Sequence, residues 1–399
     1  MRPASSDAPT VSSRTPGSIY TFYSFKGGVG RSMALANVAA RLSRSSRVLV
    51  VDWDLEAPGL EKYFSNPPSK MFSSRQERDG IVDLVNEFSQ GKELNWRDCT
   101  IEVSAYGNDD RLTILPAGRD SKDYVERVQS LDWPRLFRET DIGWYLEKLR
   151  KEWIEEYDFV LLDSRTGITD IGGICTVFMP DVLVLFFTTN VQSVDGVVDV
   201  VERSRRAQDK LMVDRSRLLA IPVPARDESR TENQLASDWR RIFSEKLRFL
   251  YNDWLPEGVS AEDILEKLRI PYVPYWSFYE RLPVVVEGTD DPQTIGFAYD
   301  LLSRLIRHRL DWGKAIREPS SPGKFLWNIP ARNPFFLDRD ECLRELHEAL
   351  AADYVCVIKG LGGIGKTQTA IEYAHRFRGE YSAVFWVLAE SRDTLYIRA

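Results

Sequence analysis

Two glycine-rich stretches, each set between an apolar run and a helix-forming segment, constrain this chain more than any other feature. Near the N-terminus, Ile19-Tyr20-Thr21-Phe22-Tyr23 leads into Ser24-Phe25-Lys26-Gly27-Gly28-Val29-Gly30-Arg31-Ser32, and Met33-Ala34-Leu35-Ala36-Asn37-Val38-Ala39 continues with helical spacing. Far downstream, Tyr354-Val355-Cys356-Val357-Ile358 leads into Gly360-Leu361-Gly362-Gly363-Ile364-Gly365-Lys366-Thr367, followed by Gln368-Thr369-Ala370-Ile371-Glu372-Tyr373-Ala374. A strand, a glycine loop and a helix start aim several backbone N–H groups and the positive helix end at one point, which suits a polyphosphate. The chain therefore reads first as a nucleotide binder.

The length of 399 residues allows about two or three domains, each able to bury a core. With 43% hydrophobic, 28% charged and 12% aromatic residues, the composition is that of a globular protein. A net charge of -7 provides no global attraction to nucleic acid or anionic lipid, which argues against a nucleic-acid partner. The densest basic cluster, Arg203, Arg205, Arg206, Lys210, Arg215 and Arg217, is interleaved with Glu202, Asp209 and Asp214 and reads as a solvated helix face. Cys99, Cys175, Cys342 and Cys356 form no CxxC pair and no secretory leader is visible, so a reducing cytoplasm is expected. The scattered His308, His347 and His375 argue against a zinc site. The longest apolar stretch, Val182 to Phe187, falls far short of the ~20 residues of a transmembrane helix and reads as a buried strand.

Residues 1–17 are rich in Ser, Pro, Ala and Thr without apolar periodicity, and a disordered tail is expected there. From Ile19 onward, short β-rich runs alternate with amphipathic segments, the pattern of a parallel sheet covered on both faces. Strands are expected at 19–24, 47–52, 112–115, 159–163, 182–188, 218–222 and 271–275, and helices near 31–44, 142–156, 194–211, 232–251 and 293–316. Glu318-Pro319-Ser320-Ser321-Pro322-Gly323-Lys324 cannot continue a helix and marks a linker over 317–332. The expected class is α/β: a doubly wound, mainly parallel sheet over 18–316, then an incomplete second phosphate-loop α/β domain over 333–399.

The first loop departs from the general pattern G-x-x-x-x-G-K-[ST], because Phe25 replaces the first glycine and Arg31 stands where lysine is usual. It matches the variant K-G-G-x-G-[KR]-[ST], in which Lys26 precedes the glycine pair. Lys26-Gly27-Gly28-Val29-Gly30-Arg31-Ser32 resembles the deviant loop of the ParA/MinD group within the SIMIBI class of ATPases. Arg47-Val48-Leu49-Val50-Val51-Asp52-Trp53-Asp54 resembles that group's second strand with its D-x-D ending. Tyr157 to Gly167 resembles its acidic strand followed by D-x-x-x-G, and together the three motifs span residues 18–316.

This resemblance implies ATP or ADP and Mg²⁺ as cofactors, with Gly27, Gly28, Val29, Gly30, Arg31, Ser32 and Met33 around the phosphates. Ser32, Asp52 and Asp163 would serve the metal, and Asp54 would orient the attacking water. Arg31 keeps a cation at the β/γ-phosphates, although its planar fork is not equivalent to a lysine point charge. Lys26 would reach a partner's nucleotide across a two-fold interface, implying an ATP-dependent homodimer. Asn190 and Arg226 lie just after later strands, where the base would rest in a doubly wound sheet or where a strand simply ends.

The second loop fits the general pattern at Gly360, Gly365, Lys366 and Thr367, with Gly362, Gly363 and Gln368 completing the expected phosphate cradle and Thr367 placed for Mg²⁺. Together with Asn333-Pro334-Phe335-Phe336-Leu337-Asp338-Arg339-Asp340, it resembles the opening of an NB-ARC domain, the nucleotide switch of STAND signalling proteins, although Asp338 occupies a position usually held by glycine. The residues after Thr367 suffice for one helix and one strand, Ala383 to Leu388, and Glu390 is not where that family places its metal-binding acid. A front part of a longer protein, or a truncated product, is therefore expected.

Taken together, the expectation is a slow, Mg²⁺-dependent ATPase that dimerises on ATP and is tied to a STAND-type switch with protein partners in a signalling or defence assembly. Two rival readings are a nucleotide-binding scaffold without hydrolysis and a partition-type positioning ATPase. The acidic charge and the lack of a basic amphipathic C-terminal helix count against the latter.

Overall fold

The computed structural model describes residues 15–64, 78–106, 112–166, 173–211, 215–228, 233–277, 280–319, 326–327, 329–330, 332–333, 336, 339–353, 355–381, 383–384 and 386. The chain divides after Ile270 into two compact units, ahead of the expected linker.

The first unit is built on seven strands: β1 (Ser18–Ser24), β2 (Val48–Asp52), β3 (Ile101–Val103), β4 (Leu112–Leu115), β5 (Phe159–Asp163), β6 (Val182–Phe187) and β7 (Leu219–Pro224). Their order is β3-β4-β2-β5-β1-β6-β7. All neighbours are parallel except β3, which runs antiparallel to β4 at the edge. Parallel strands covered on both faces must be apolar on both, which is why Val48-Leu49-Val50-Val51 and Val182 to Phe187 are continuous apolar runs, buried throughout. Each such Val, Leu or Phe contributes about 1.5–3 kcal/mol on burial.

Helix α1 (Arg31–Ser43) packs on β1, β2 and β5. Its alanines, Ala34, Ala36, Ala39 and Ala40, are all fully buried and let it lie close to the sheet. A helix at Ile142–Glu156 buries Leu146, Leu149 and Trp153 against the core, with the Trp153 ring meeting Trp96 edge-on at 6.2 Å. Helices at Val191–Gln208 and Asn233–Tyr251 follow β6 and β7.

Three expected elements come out differently. The strand at 271–275 is absent, and Pro274–Ser277 forms a short 3-10 turn instead, since Pro271 and Pro274 cannot donate to a ladder. The helix expected over 293–316 is two helices, Ile295–Arg307 and Trp312–Arg317. Arg309 and Leu310 adopt φ of 49° and 69°, and Asp311 caps the second helix by accepting from the Lys314 amide. The run before the second loop is not a strand either: Val355 and Val357 are 74% and 68% exposed and pair with nothing among the described residues.

The second unit also holds helices Asp340–Asp353 and Lys366–Arg376, joined through Leu343, Leu346 and Tyr373, and a two-stranded parallel ladder of β8 (Leu326–Trp327) with β9 (Ala383–Val384). Phe385, Val387 and Leu388 of the strand expected at 383–388, and Glu390, lie outside the described residues. In this unit Glu287 accepts from the Gly296 amide at 2.7 Å, and burial, partly offset by that bond, pushes its carboxyl up to about 7. The fold thus keeps a proton that the unfolded chain has already lost, so the contribution of Glu287 is full below the ordinary carboxylate pKa and fades as pH rises through about 7. Melting curves of the wild type should fall between pH ~5 and ~8 more steeply than those of Glu287→Gln, by at most about 1.4 kcal/mol per pH unit. Parallel pH profiles would contradict this assignment.

Candidate functional site

The site forms at the C-terminal ends of the central strands. Asp52 closes β2 and Asp163 closes β5, and strand register places these two residues side by side. Phe22 of β1 pairs with Asp163 on the other flank, so the loop that leaves β1 at Ser24 begins beside the acids. Gly28 and Gly30 adopt φ of 72° and 84°, left-handed values that favour glycine, and Gly30 hands the chain to α1 without any side-chain cap. Its first-turn N–H groups are therefore directed at whatever the loop encloses.

Arg31, the first residue of α1, is only 6% exposed. Its Nε donates to Asp163 Oδ1 at 2.5 Å and one terminal nitrogen donates to Asp54 Oδ2 at 2.8 Å. Burial works against the guanidinium charge, but the two carboxylates outweigh it and raise its pKa. The remaining nitrogen, Nη1, is buried without a hydrogen-bond partner among the described residues. Arg31 thus turns inward onto the acids instead of outward over the loop. Burial raises the Asp163 carboxyl above its ordinary value, although the charge of Arg31 and the neighbouring Ser32 hydroxyl pull it down.

Asp52, expected to serve the metal, holds backbone in place. Its Oδ1 accepts from the Asp54 amide at 3.2 Å, and its Oδ2 accepts from the Gly59 and Leu60 amides at 3.0 and 3.2 Å. Burial, reinforced by Asp163, pushes its pKa up to about 8. It ties down the loop that carries Asp54. Among the described residues no group of three or more His, Cys, Asp or Glu forms a metal cage. The set of Asp163, Ser32 and a polyphosphate nonetheless suits Mg²⁺, which keeps its waters and takes one or two carboxylates beside phosphate oxygens.

Arg226, at the end of β7 with φ 53°, donates to the Gly28 carbonyl at 3.0 Å and so reaches the phosphate loop. Asn190 is placed differently: its Oδ1 accepts from the Ser193 amide at 2.9 Å, making it the N-cap of helix Val191–Gln208. Lys26 is half-buried, Gly27 and Gly28 are exposed, Val29 is buried and Met33 is half-buried. Arg165, just past Asp163, pairs with Glu56.

Gly196 was not singled out by sequence reasoning. A Cβ there would lie 2.3 Å from Cγ of Phe25, so the bare helix surface seats the ring that replaces the first glycine of the general loop. An isolated glycine inside a helical pattern was the available signal.

The second loop repeats the backbone of the first. Gly363 and Gly365 adopt φ of 77° and 94°, and Gly365 precedes helix Lys366–Arg376 without a side-chain cap. Lys366 Nζ folds back onto the Gly360 and Leu361 carbonyls at 3.0 and 2.9 Å, and Thr367 and Gln368 are exposed beside the exposed Gly362. Arg339 lies against this loop, donating to the Ile364 carbonyl at 2.6 Å and the Thr369 hydroxyl at 3.0 Å. Asp338 lies outside the described residues.

Mainly parallel, helix-flanked and with a glycine turn between β1 and α1, the first unit has an α/β fold. No protein-family model and no curated protein matches the chain. Among solved structures it is similar to the cell division ATPase MinD of Pyrococcus furiosus (19% identity, 73% of this chain and 99% of that chain, TM-score 0.47). It is likewise similar to MinD of Pyrococcus horikoshii complexed with Mg-ADP (17%, 74% and 98%, TM-score 0.48). A ParA family ATPase from Chlorobium tepidum is a third such structure (17%, 75% and 99%, TM-score 0.44).

Gly196→Ala should destabilise the chain by about 1–3 kcal/mol, because the added methyl collides with the base of the Phe25 ring. In a Phe25→Ala background the same change should cost much less. Equal costs in thermal unfolding of the two backgrounds would show that the ring does not occupy that space.

Proposed function

We propose that the chain binds ATP and Mg²⁺ at the first loop and hydrolyses ATP slowly. In this reading the ATP-bound state dimerises through Lys26, and the resulting switch is coupled to the second, STAND-like loop in a signalling or defence assembly. One observation carries the nucleotide reading: the Gly28/Gly30 turn, Arg31, Asp54 and Asp163 meet at the ends of three adjacent strands. A tight turn serving only to reverse the chain has no use for two acids and a buried cation.

The backbone amides from Gly28 to Ser32 would bind the polyphosphate, and Arg226, anchored on the Gly28 carbonyl, would hold the loop from the side of β7. Asp54, fixed by Asp52 through the backbone, would accept a hydrogen bond from the attacking water and place it in line with the γ-phosphate. Ser32 and Asp163 would hold Mg²⁺, which supplies charge neutralisation on the β- and γ-phosphate oxygens when bound. Arg31 adds a second cation whose partition between acids and phosphate sets the rate. Lys26 would complete the site of a second copy.

The phosphate-loop backbone of the second unit, with Lys366 and Thr367 at its helix start, supports a nucleotide contact there as well. Coupling between the two loops rests on the sequence resemblance.

Asp54→Ala should lower phosphate release by at least about 100-fold while nucleotide binding persists. Sedimentation with ATP and Mg²⁺ should show a dimer for the wild type and a monomer for Lys26→Ala. Unchanged release in the first variant would remove hydrolysis from the proposal, and unchanged association in the second would remove the cross-subunit role.

A further inference from the structure

The two loops share a backbone but send their cations to different places. Lys366 keeps its charge on its own loop, against the Gly360 and Leu361 carbonyls. Arg31, the first helical residue after the equivalent turn, spans the ends of β2 and β5, with Asp163 on Nε and Asp54 on a terminal nitrogen. A lysine has a single ammonium and cannot present separate donors to two carboxylates from a fixed plane, whereas a guanidinium can. Its third nitrogen is buried with no partner among the described residues, a donor left for one further acceptor. One of the acids it bridges is Asp163, which closes β5 and is the carboxylate proposed to hold a divalent metal with Ser32.

We propose that Arg31 is a resident counter-ion that competes with the divalent metal for Asp163, so that the first loop takes a nucleotide diphosphate with little dependence on metal. Metal gains access only when the guanidinium releases Asp163, and this makes Arg31 a determinant of how the site uses its cation. The inference rests on the first loop being a nucleotide site.

The test is calorimetric titration of ADP into the full chain, with Lys366→Ala silencing the second loop, once in EDTA and once in excess Mg²⁺. The affinity should change by less than about threefold between the two buffers, and in Arg31→Lys it should gain at least about tenfold from Mg²⁺. A gain from Mg²⁺ as large in the arginine form as in Arg31→Lys would overturn the proposal while leaving the nucleotide site standing. Absence of ADP binding in both buffers and both forms would overturn the nucleotide reading and this proposal with it. Should Arg31→Lys not fold, the arginine form decides alone: less than about threefold supports the counter-ion role and about tenfold or more overturns it.

Discussion

A single buried guanidinium joins three pieces of this fold that the chain delivers separately. Arg31 begins the helix after β1, Asp54 follows β2 and Asp163 ends β5, and only the parallel order β2-β5-β1 brings them within hydrogen-bonding distance. Removing one partner from a buried ion pair typically costs about 3–5 kcal/mol, since an uncompensated charge is left behind. The bridge therefore belongs to the structure as much as to the chemistry. On the proposed function, a ligand at the first loop that rebalanced this charge would bear directly on the bridge.

Around that bridge the surrounding residues hold geometry. Asp52 accepts three backbone amides and fixes the loop bearing Asp54, while Trp53 between them in sequence is buried in the core. Phe25 rests on Gly196, and Arg226 bonds the Gly28 carbonyl. The loop is thus supported from β2, from the helix after β6 and from β7. Such support from several rigid elements is what a site requires when catalysis is mostly positioning.

Much of this was legible in the residues. Buried parallel strands must be apolar on both faces, so β1, β2, β4, β5, β6 and β7 stood out as runs, and the acids at their ends followed from position. The antiparallel β3, only Ile101–Val103, is too short to leave a periodicity. The break at Arg309 and Leu310 carries no glycine to announce it: their amides close the first helix onto the Ile306 and Leu305 carbonyls, and Asp311 then caps the second. The run before the second loop is apolar enough for a strand, yet a strand is made by its neighbours, and none pairs with it among the described residues. Likewise the destination of the Arg31 side chain depends on acids 23 and 132 residues away, beyond anything local sequence can encode.

The proposed function requires that the Gly28/Gly30 turn hold a nucleotide's phosphates. Calorimetric titration of Mg-ATP into the full chain carrying Lys366→Ala isolates that turn, and adding Gly30→Ala distorts it by placing a side chain at φ 84°. With folding of both proteins checked by their melting curves, one equivalent of ATP should bind the first and at least about tenfold more weakly the second. Equal binding by the two, or none by the first, would contradict the account.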